Sequence, residues 1–405
     1  MAKKESTAGI TVHGVGRPKQ VAQARKSLNA KLIISEIDKP FFLIVLVLLV
    51  FGLIMMFSAS YATSLYESNN PYAYLKTQLV AAVLGMVILI GTSFLDYHFF
   101  QNTKVVLFSF VIVEALSLFT AMFGNSTADA SRWISIGPLS FQPSELLKIV
   151  FIMVFAYMLA LNFPKFKSMK YSIVPFALII GATCFALVLQ RHLSAVLLVL
   201  LIGIAMMFVG DVPKKHMVIF LGAGLGLIVL FVLFMLLSGS DKFSYLTTRF
   251  QSWRDPMSDI SGDTAQTYQG LLAIGSGGWF GLGFGNSRQK YLYLPESQND
   301  FIFSIICEEL GFFGALAVII LFLLFVIRGF YIAVNAKDRF GMLLAVGIVL
   351  QIGLQAFLNI AVSCNAFPNT GIALPFFSSG GTALVFQLAE MGILLNISRQ
   401  RARKK

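Results

Sequence analysis

Charged residues are scarce in this chain. Asp, Glu, Lys and Arg make up 12% of its 405 residues and hydrophobic residues 57%, where soluble domains carry roughly 25% and 45–50%. With a mean hydropathy of +0.80, that balance excludes an ordinary soluble domain and indicates a membrane protein. The three cysteines, Cys184, Cys307 and Cys364, lie within apolar runs or at their ends, without paired or metal-like spacing. That excludes a disulfide framework and reads them as small buried apolar residues. No internal repeat is present. The one glycine-rich stretch, with glycines at 275, 277, 278, 281, 283 and 285, fits neither G-x-G-x-x-G nor G-x-x-x-x-G-K-[ST]. Close approach of backbone to backbone or to a ligand accounts for it better.

Apolar runs are abundant. Stretches of about 17 to 25 residues, the length of a bilayer-crossing helix, fall at 41–61, 77–95, 105–123, 143–161, 172–189, 193–210, 217–238, 301–327, 341–363 and 382–398. The expected fold is therefore an all-α polytopic membrane protein: ten transmembrane helices over 41–398, with one large external loop, 239–300, between the seventh and eighth. A basic arm over 1–40, rich in Lys, Ala, Ser and Gly, is expected to be a disordered cytoplasmic segment. Its length argues against a cleaved signal peptide at the first span. A short basic tail, 399–405, follows the last span.

Lys and Arg are retained on the cytoplasmic side of short loops. With both termini inside, most of them fall in cytoplasmic segments, and the external segments hold only Lys76, Arg132, Arg191, Lys242, Arg249, Arg254, Arg288 and Lys290. Removing a single span would place "RQRARKK" outside. The net charge of +12 thus reflects membrane orientation and contact with anionic lipid, not nucleic-acid binding.

Ionisable residues inside spans are rare and mark cavities or partners. Glu114, Glu145, Lys148, Glu308, Glu309 and Glu390 are of this kind. Glu145 and Lys148, three apart, share a helical face and can neutralise each other. Pro143 suits the first turn of their helix. In "YLPESQNDFIFSIICEELGFFG", Tyr293 to Gly314, Asp300 stands where a polar loop gives way to an apolar run. At helical geometry Glu308 lies about 12 Å deeper and about 80° around, and Glu309 points about 180° away. Glu308 is therefore expected to share a cavity with Asp300, and Glu309 to face another helix. A carboxylate at such a mouth, near external Arg and Lys, has the setting of a general base. A helix N-cap is the competing use of Asp300.

On three motifs, "RWISIGPLSFQPSELLK", "YLPESQNDFIFSIICEELGFFG" and "PNTGIALPFFSSGG", the chain resembles the SEDS family of shape, elongation, division and sporulation proteins (FtsW, RodA and SpoVE). The likeness runs over nearly all of 41–398 and is greatest to the division-type branch. It implies a peptidoglycan glycosyltransferase of the bacterial cytoplasmic membrane that polymerises lipid II into glycan strands on the external face. It also implies a class B penicillin-binding transpeptidase as partner, alongside other division or elongation proteins. By the same resemblance Asp300 is the catalytic base. Arg132, Glu145, Lys148, Arg249, Arg288, Glu308, Glu309, Ser378 and Ser379 are expected to bind substrate. Where the family often has Gln-Pro-Asp-Leu-Gly, this chain has Gln190, Arg191, His192, Leu193 and Ser194, leaving His192 to replace the missing acid.

Glycan extension needs a base for a sugar hydroxyl and cations for a leaving pyrophosphate, which Arg suits with its forked geometry. A divalent cation, Mg or Mn, bridging that pyrophosphate is compatible with the chemistry, although no ligand cluster in the sequence identifies one. Two other functions fit a ten-helix protein with buried charge: a lipid II flippase, and a non-catalytic scaffold for a transpeptidase. The gathering of acids and the long loop at the external mouth, without an inverted repeat, weighs against transport.

Overall fold

The computed structural model describes residues 37–127, 130–136, 139–238, 244–260, 262 and 264–400. The side chains of 125–132, 135–140 and 227–247 fall outside that description, as do most of the basic arm and the tail beyond 400. The helices longer than five residues are α1 (Lys39–Ser68), α2 (Ala73–Phe94), α3 (Thr103–Phe123), α4 (Pro143–Asn162), α5 (Val174–Leu189), α6 (Leu193–Val209), α7 (Lys214–Ser238), α8 (Ser244–Arg254), α9 (Ala265–Gly277), α10 (Ile302–Val334), α11 (Arg339–Ser363) and α12 (Gly381–Arg399).

Each predicted span falls largely within α1 to α7 or α10 to α12. Among the described residues, eight of the helical segments are long and apolar enough to cross a membrane, and Leu193–Val209 is a shorter apolar helix. Local chemistry sets their starts. The Asp38 side chain accepts from Phe41 N at 3.0 Å, Pro143 opens α4, and Asp338 accepts from Gly341 N at 2.9 Å, each satisfying or removing a free first-turn N–H. Largely buried α4, α11 and α12 form the centre, while α2 and α3 expose most of their apolar surface, as helices facing lipid do. Cys307 is buried, but Cys364 at the end of α11 is exposed, which corrects its reading as a core residue.

One end of the bundle is latched by polar contacts. Asp38 grips Arg328 through two 2.9 Å bonds, and the Tyr97 hydroxyl donates to Asp338. At the other end, three short strands depart from the all-α expectation: β1 (Asn125–Thr127), β2 (Ala130–Ile136) and β3 (Leu139–Phe141) form a small antiparallel sheet. Its register pairs Asn125 with Trp133 and Ile134 with Phe141.

The described part of the loop predicted to be external folds against the bundle. Trp253 in α8 and Asn365 exchange two 3.1 Å bonds, while α9 packs along the first part of α10. That helix is broken at Gly311 (φ 66°, ψ −161°). A helix break strands backbone groups, which must find partners in a low-dielectric setting. The glycine-rich segment supplies them. Leu282 N donates to Glu308 O at 2.9 Å and Gly283 N to Glu309 O at 3.0 Å, while Phe312 N donates to Gly278 O at 2.9 Å. A side chain on Gly277 would collide with Cys307 O, so the close-packing reading of these glycines holds.

The helical rise from Asp38 to Ser58 is about 30 Å, and from Arg328 to Phe312 about 24 Å. The break therefore lies close to one hydrocarbon thickness, about 30 Å, from the polar latch. Exposed Trp279, Phe280, Phe312 and Phe313 cluster there ring to ring, the composition of an interfacial belt. The first part of α10 and Asp300 lie on the side of this cluster away from the polar latch.

Candidate active site

At that end, β2, α4, α6, α8, α9, α11 and the 371–383 segment surround a cavity of about 400 Å³ lined by Trp133, Glu145, Lys148, His192, Arg249, Gln266, Glu296, Asp300, Gln355 and Ser379. Glu145 and Lys148 form the expected pair at 2.9 Å, both buried. The Lys148 ammonium also donates to Gln355 Oε1 at 3.2 Å, and Gln355 Nε2 donates to Ala373 O at 3.0 Å. A buried cation so held is fixed in place.

Asp300 is not a helix cap. The residue at the cap position of α10 is Phe301, with no side-chain capping bond. Asn359 Nδ2 instead holds the Asp300 carbonyl and that of Ile372, both at 2.7 Å. Gln266 Nε2 approaches Asp300 Oδ1 at 3.5 Å, and Oδ2 faces Gly371, where a Cβ would lie 3.6 Å away. Gln266 is oriented in turn by Asn369, which donates to its Oε1 at 2.7 Å, while Arg249 Nη1 donates to Asn369 O at 2.8 Å. The carboxylate and the Arg249 guanidinium are thus held by one short network across α8, α9 and the 364–380 loop. His192 lines the same cavity, beside Ser194, whose hydroxyl donates to Thr370 O.

Asp300, Glu145, Lys148, Arg249 and Ser379 are thus brought together; other expected residues are not. Glu308 is buried and accepts from Ser287 Oγ, from Arg288 N at 2.9 Å and from Gln289 N at 3.4 Å. It holds a turn and does not line the Asp300 cavity, because Asp300 precedes the helix and a count of helical angle cannot start there. Glu309 faces α1, as expected: its carboxylate pairs with Lys290 Nζ at 2.8 Å and accepts from Ser58 Oγ at 2.7 Å. Arg288 is exposed and lines a separate groove. Ser378 is structural, its hydroxyl accepting from Leu374 N at 2.7 Å and donating to Asn299 O. The Arg132 side chain lies outside the described residues.

The sequence reading missed the polar stripe of α11. Gln351, Gln355 and Asn359 recur every four residues, so they share a face, and each meets the site or its floor: Gln351 Nε2 reaches Glu390 at 3.1 Å. That spacing of amides in an apolar helix was a legible signal. Among the described residues no group of three or more His, Cys, Asp or Glu could hold a metal ion.

The profile of the FtsW/RodA/SpoVE cell cycle protein family matches residues 39–403. The chain belongs to this family. Among SEDS proteins it is 35% identical over 362 residues to a probable peptidoglycan glycosyltransferase FtsW of Geobacter sp. (strain M18), covering 89% of this chain and 96% of that one. It is 36% identical to stage V sporulation protein E of Bacillus subtilis (strain 168), covering 88% and 95%. It also resembles a chain in a solved peptidoglycan synthase complex that coordinates polymerization and crosslinking, with a TM-score of 0.71 at 25% identity, covering 91% of this chain and 99% of that one.

Proposed function

We propose that this peptidoglycan glycosyltransferase extends glycan strands from lipid II with Asp300 as the general base. The carrying observation is that one cavity holds a positioned carboxylate, Asp300, together with two fixed cations, Lys148 and Arg249. A sugar hydroxyl of the acceptor gives its proton to Asp300 as its oxygen bonds to the anomeric carbon of the donor. The bond from that carbon to the donor's lipid pyrophosphate breaks, and the pyrophosphate leaves with the electron pair. Lys148 and Arg249 balance its charge, an electrostatic role of the kind that dominates many active sites.

The reading places the cavity on the external face, both termini in the cytoplasm, and ten crossings in a bacterial cytoplasmic membrane. The uneven distribution of Lys and Arg supports that orientation. Among the described residues, the carboxylates lining the cavity, Glu145, Glu296 and Asp300, form no group that could hold a metal ion. An Mg or Mn ion enters this proposal only as a counter-ion of the pyrophosphate, and no step depends on it. The relatives named FtsW support a role in cell division. The solved complex supports a crosslinking partner of the class B penicillin-binding transpeptidase kind.

Labelled lipid II supplied to the purified protein separates this reading from its rivals. Glycan strands are expected. Translocation of lipid II across vesicles without strands identifies a flippase, and neither activity, with a transpeptidase bound, identifies a scaffold.

A further inference from the structure

The family's reaction leaves one construction unexplained. Two buried carboxylates and a buried ammonium are spent on a single turn outside the cavity. Glu308 and Glu309 accept from Ser287 N, Arg288 N and Gln289 N at 3.4, 2.9 and 3.4 Å. Lys290 closes the turn from beneath, reaching Glu309 at 2.8 Å, Gly285 O at 2.6 Å and Ser58 at 3.2 Å. The turn's outward product is Arg288, exposed in a groove of about 580 Å³ beside Tyr291 and Tyr293.

The position of that groove restricts its ligand. The turn is fastened to Glu308 and Glu309, next to the break in α10 and the Trp279, Phe280, Phe312 and Phe313 belt. It therefore lies at the level where lipid headgroups meet hydrocarbon. A guanidinium carried there on a fastened backbone matches phosphate, which it binds through forked hydrogen bonds, and the half-exposed tyrosine rings suit the first units of a lipid chain or a sugar face. Glu308 lies about 9 Å of helical rise beyond Ile302, where the helix that follows Asp300 begins, a span comparable with one disaccharide. The ribbon that joins them runs from Tyr291 and Tyr293 in the groove to Glu296 and Asn299 in the cavity wall.

We infer that the Arg288 groove binds the pyrophosphate of the acceptor, a lipid-linked disaccharide, so that its far sugar hydroxyl reaches Asp300. The inference rests on the proposed polymerase reading and adds a second anion site to it. Lys148 and Arg249 hold the pyrophosphate that leaves, and Arg288 holds the one that stays. Glu308, Glu309 and Lys290 are positioning residues for Arg288.

The test compares wild type, Arg288→Gln, Arg288→Lys and Asp300→Asn in nanodiscs. It measures the initial rate of strand growth against lipid II concentration and, separately, equilibrium binding of lipid II without turnover. Loss of one charge-assisted phosphate contact is expected to raise the half-saturating concentration and the dissociation constant of Arg288→Gln about tenfold or more. Its maximal rate should stay within about threefold of wild type, and Arg288→Lys should recover part of the affinity. Asp300→Asn should bind like wild type. Unchanged binding and half-saturation in Arg288→Gln overturns the inference. So does intact lipid II affinity alongside a loss of co-purifying phosphatidylglycerol, quantified in each purified variant before reconstitution, which assigns the groove to a bulk lipid headgroup. Absence of strands from the wild type counts against the polymerase reading alone, because the binding arm still reports on Arg288.

Discussion

Gly281 and Gly311 meet backbone to backbone: a Cβ on Gly311 would strike Gly281 N, and one on Gly281 would strike Glu309 O. Both have positive φ, 77° and 66°. The loop and the interrupted helix are thus one unit, and the loop is the partner that makes the interruption tolerable. Alanine at either position combines left-handed strain with overpacking, about 2–4 kcal/mol together. Thermal unfolding in detergent should show a clear loss of stability for Gly281→Ala and Gly311→Ala. Gly285→Ala, where a Cβ meets open space, should show the smaller cost of its φ of 81°.

The Lys290–Glu309 pair is almost wholly buried, with 2% and 0% of the side chains exposed. Removing one partner strands the other charge in a low-dielectric site, at about 3–5 kcal/mol. Lys290→Met and Glu309→Leu should each destabilise strongly, and the double variant should be more stable than either. Additive losses in that cycle would show that the two charges are not coupled.

Adjacent serines separate structure from binding. Ser378→Ala leaves the buried Leu374 N–H and Asn299 carbonyl without their partner, a cost of about 1–3 kcal/mol. Ser379→Ala should leave stability within about 0.5 kcal/mol and raise the half-saturating lipid II concentration. Thermal melts and rate curves on the two variants check this, and the reverse pattern would exchange their roles.

Asn359 touches the Asp300 backbone and not its carboxylate. A misplacement of about 1 Å at a reacting group can cost about 100-fold in rate. Asn359→Leu should therefore lower the maximal rate of strand growth by about that factor, with lipid II binding little changed. An equal loss of binding would mean that Asn359 shapes the whole cavity.

Much of this was legible in the sequence. Apolar length located the helices, and i, i+3 spacing found the Glu145–Lys148 pair, because both signals are local. The break in α10 was not legible: Gly311 looks like any glycine until the segment 278–283, some thirty residues earlier, is seen to supply its missing hydrogen bonds. For the same reason Glu308 was assigned to the wrong wall, since its partners lie on that returning loop. The short strands around Trp133 were hidden by their length. Lys290, placed by sequence in an external segment, is buried because Glu309 and Ser58 neutralise and solvate it.

The most direct test of Asp300 as base is a single-turnover measurement of strand extension by wild type and Asp300→Asn, each saturated with lipid II and matched for binding and thermal stability. Asparagine keeps the shape and the hydrogen bonding to Gln266 but cannot take a proton at neutral pH. The account predicts that Asp300→Asn binds lipid II normally and forms no glycosidic bond within the time of many wild-type turnovers. Extension by Asp300→Asn at a rate near that of wild type would contradict it.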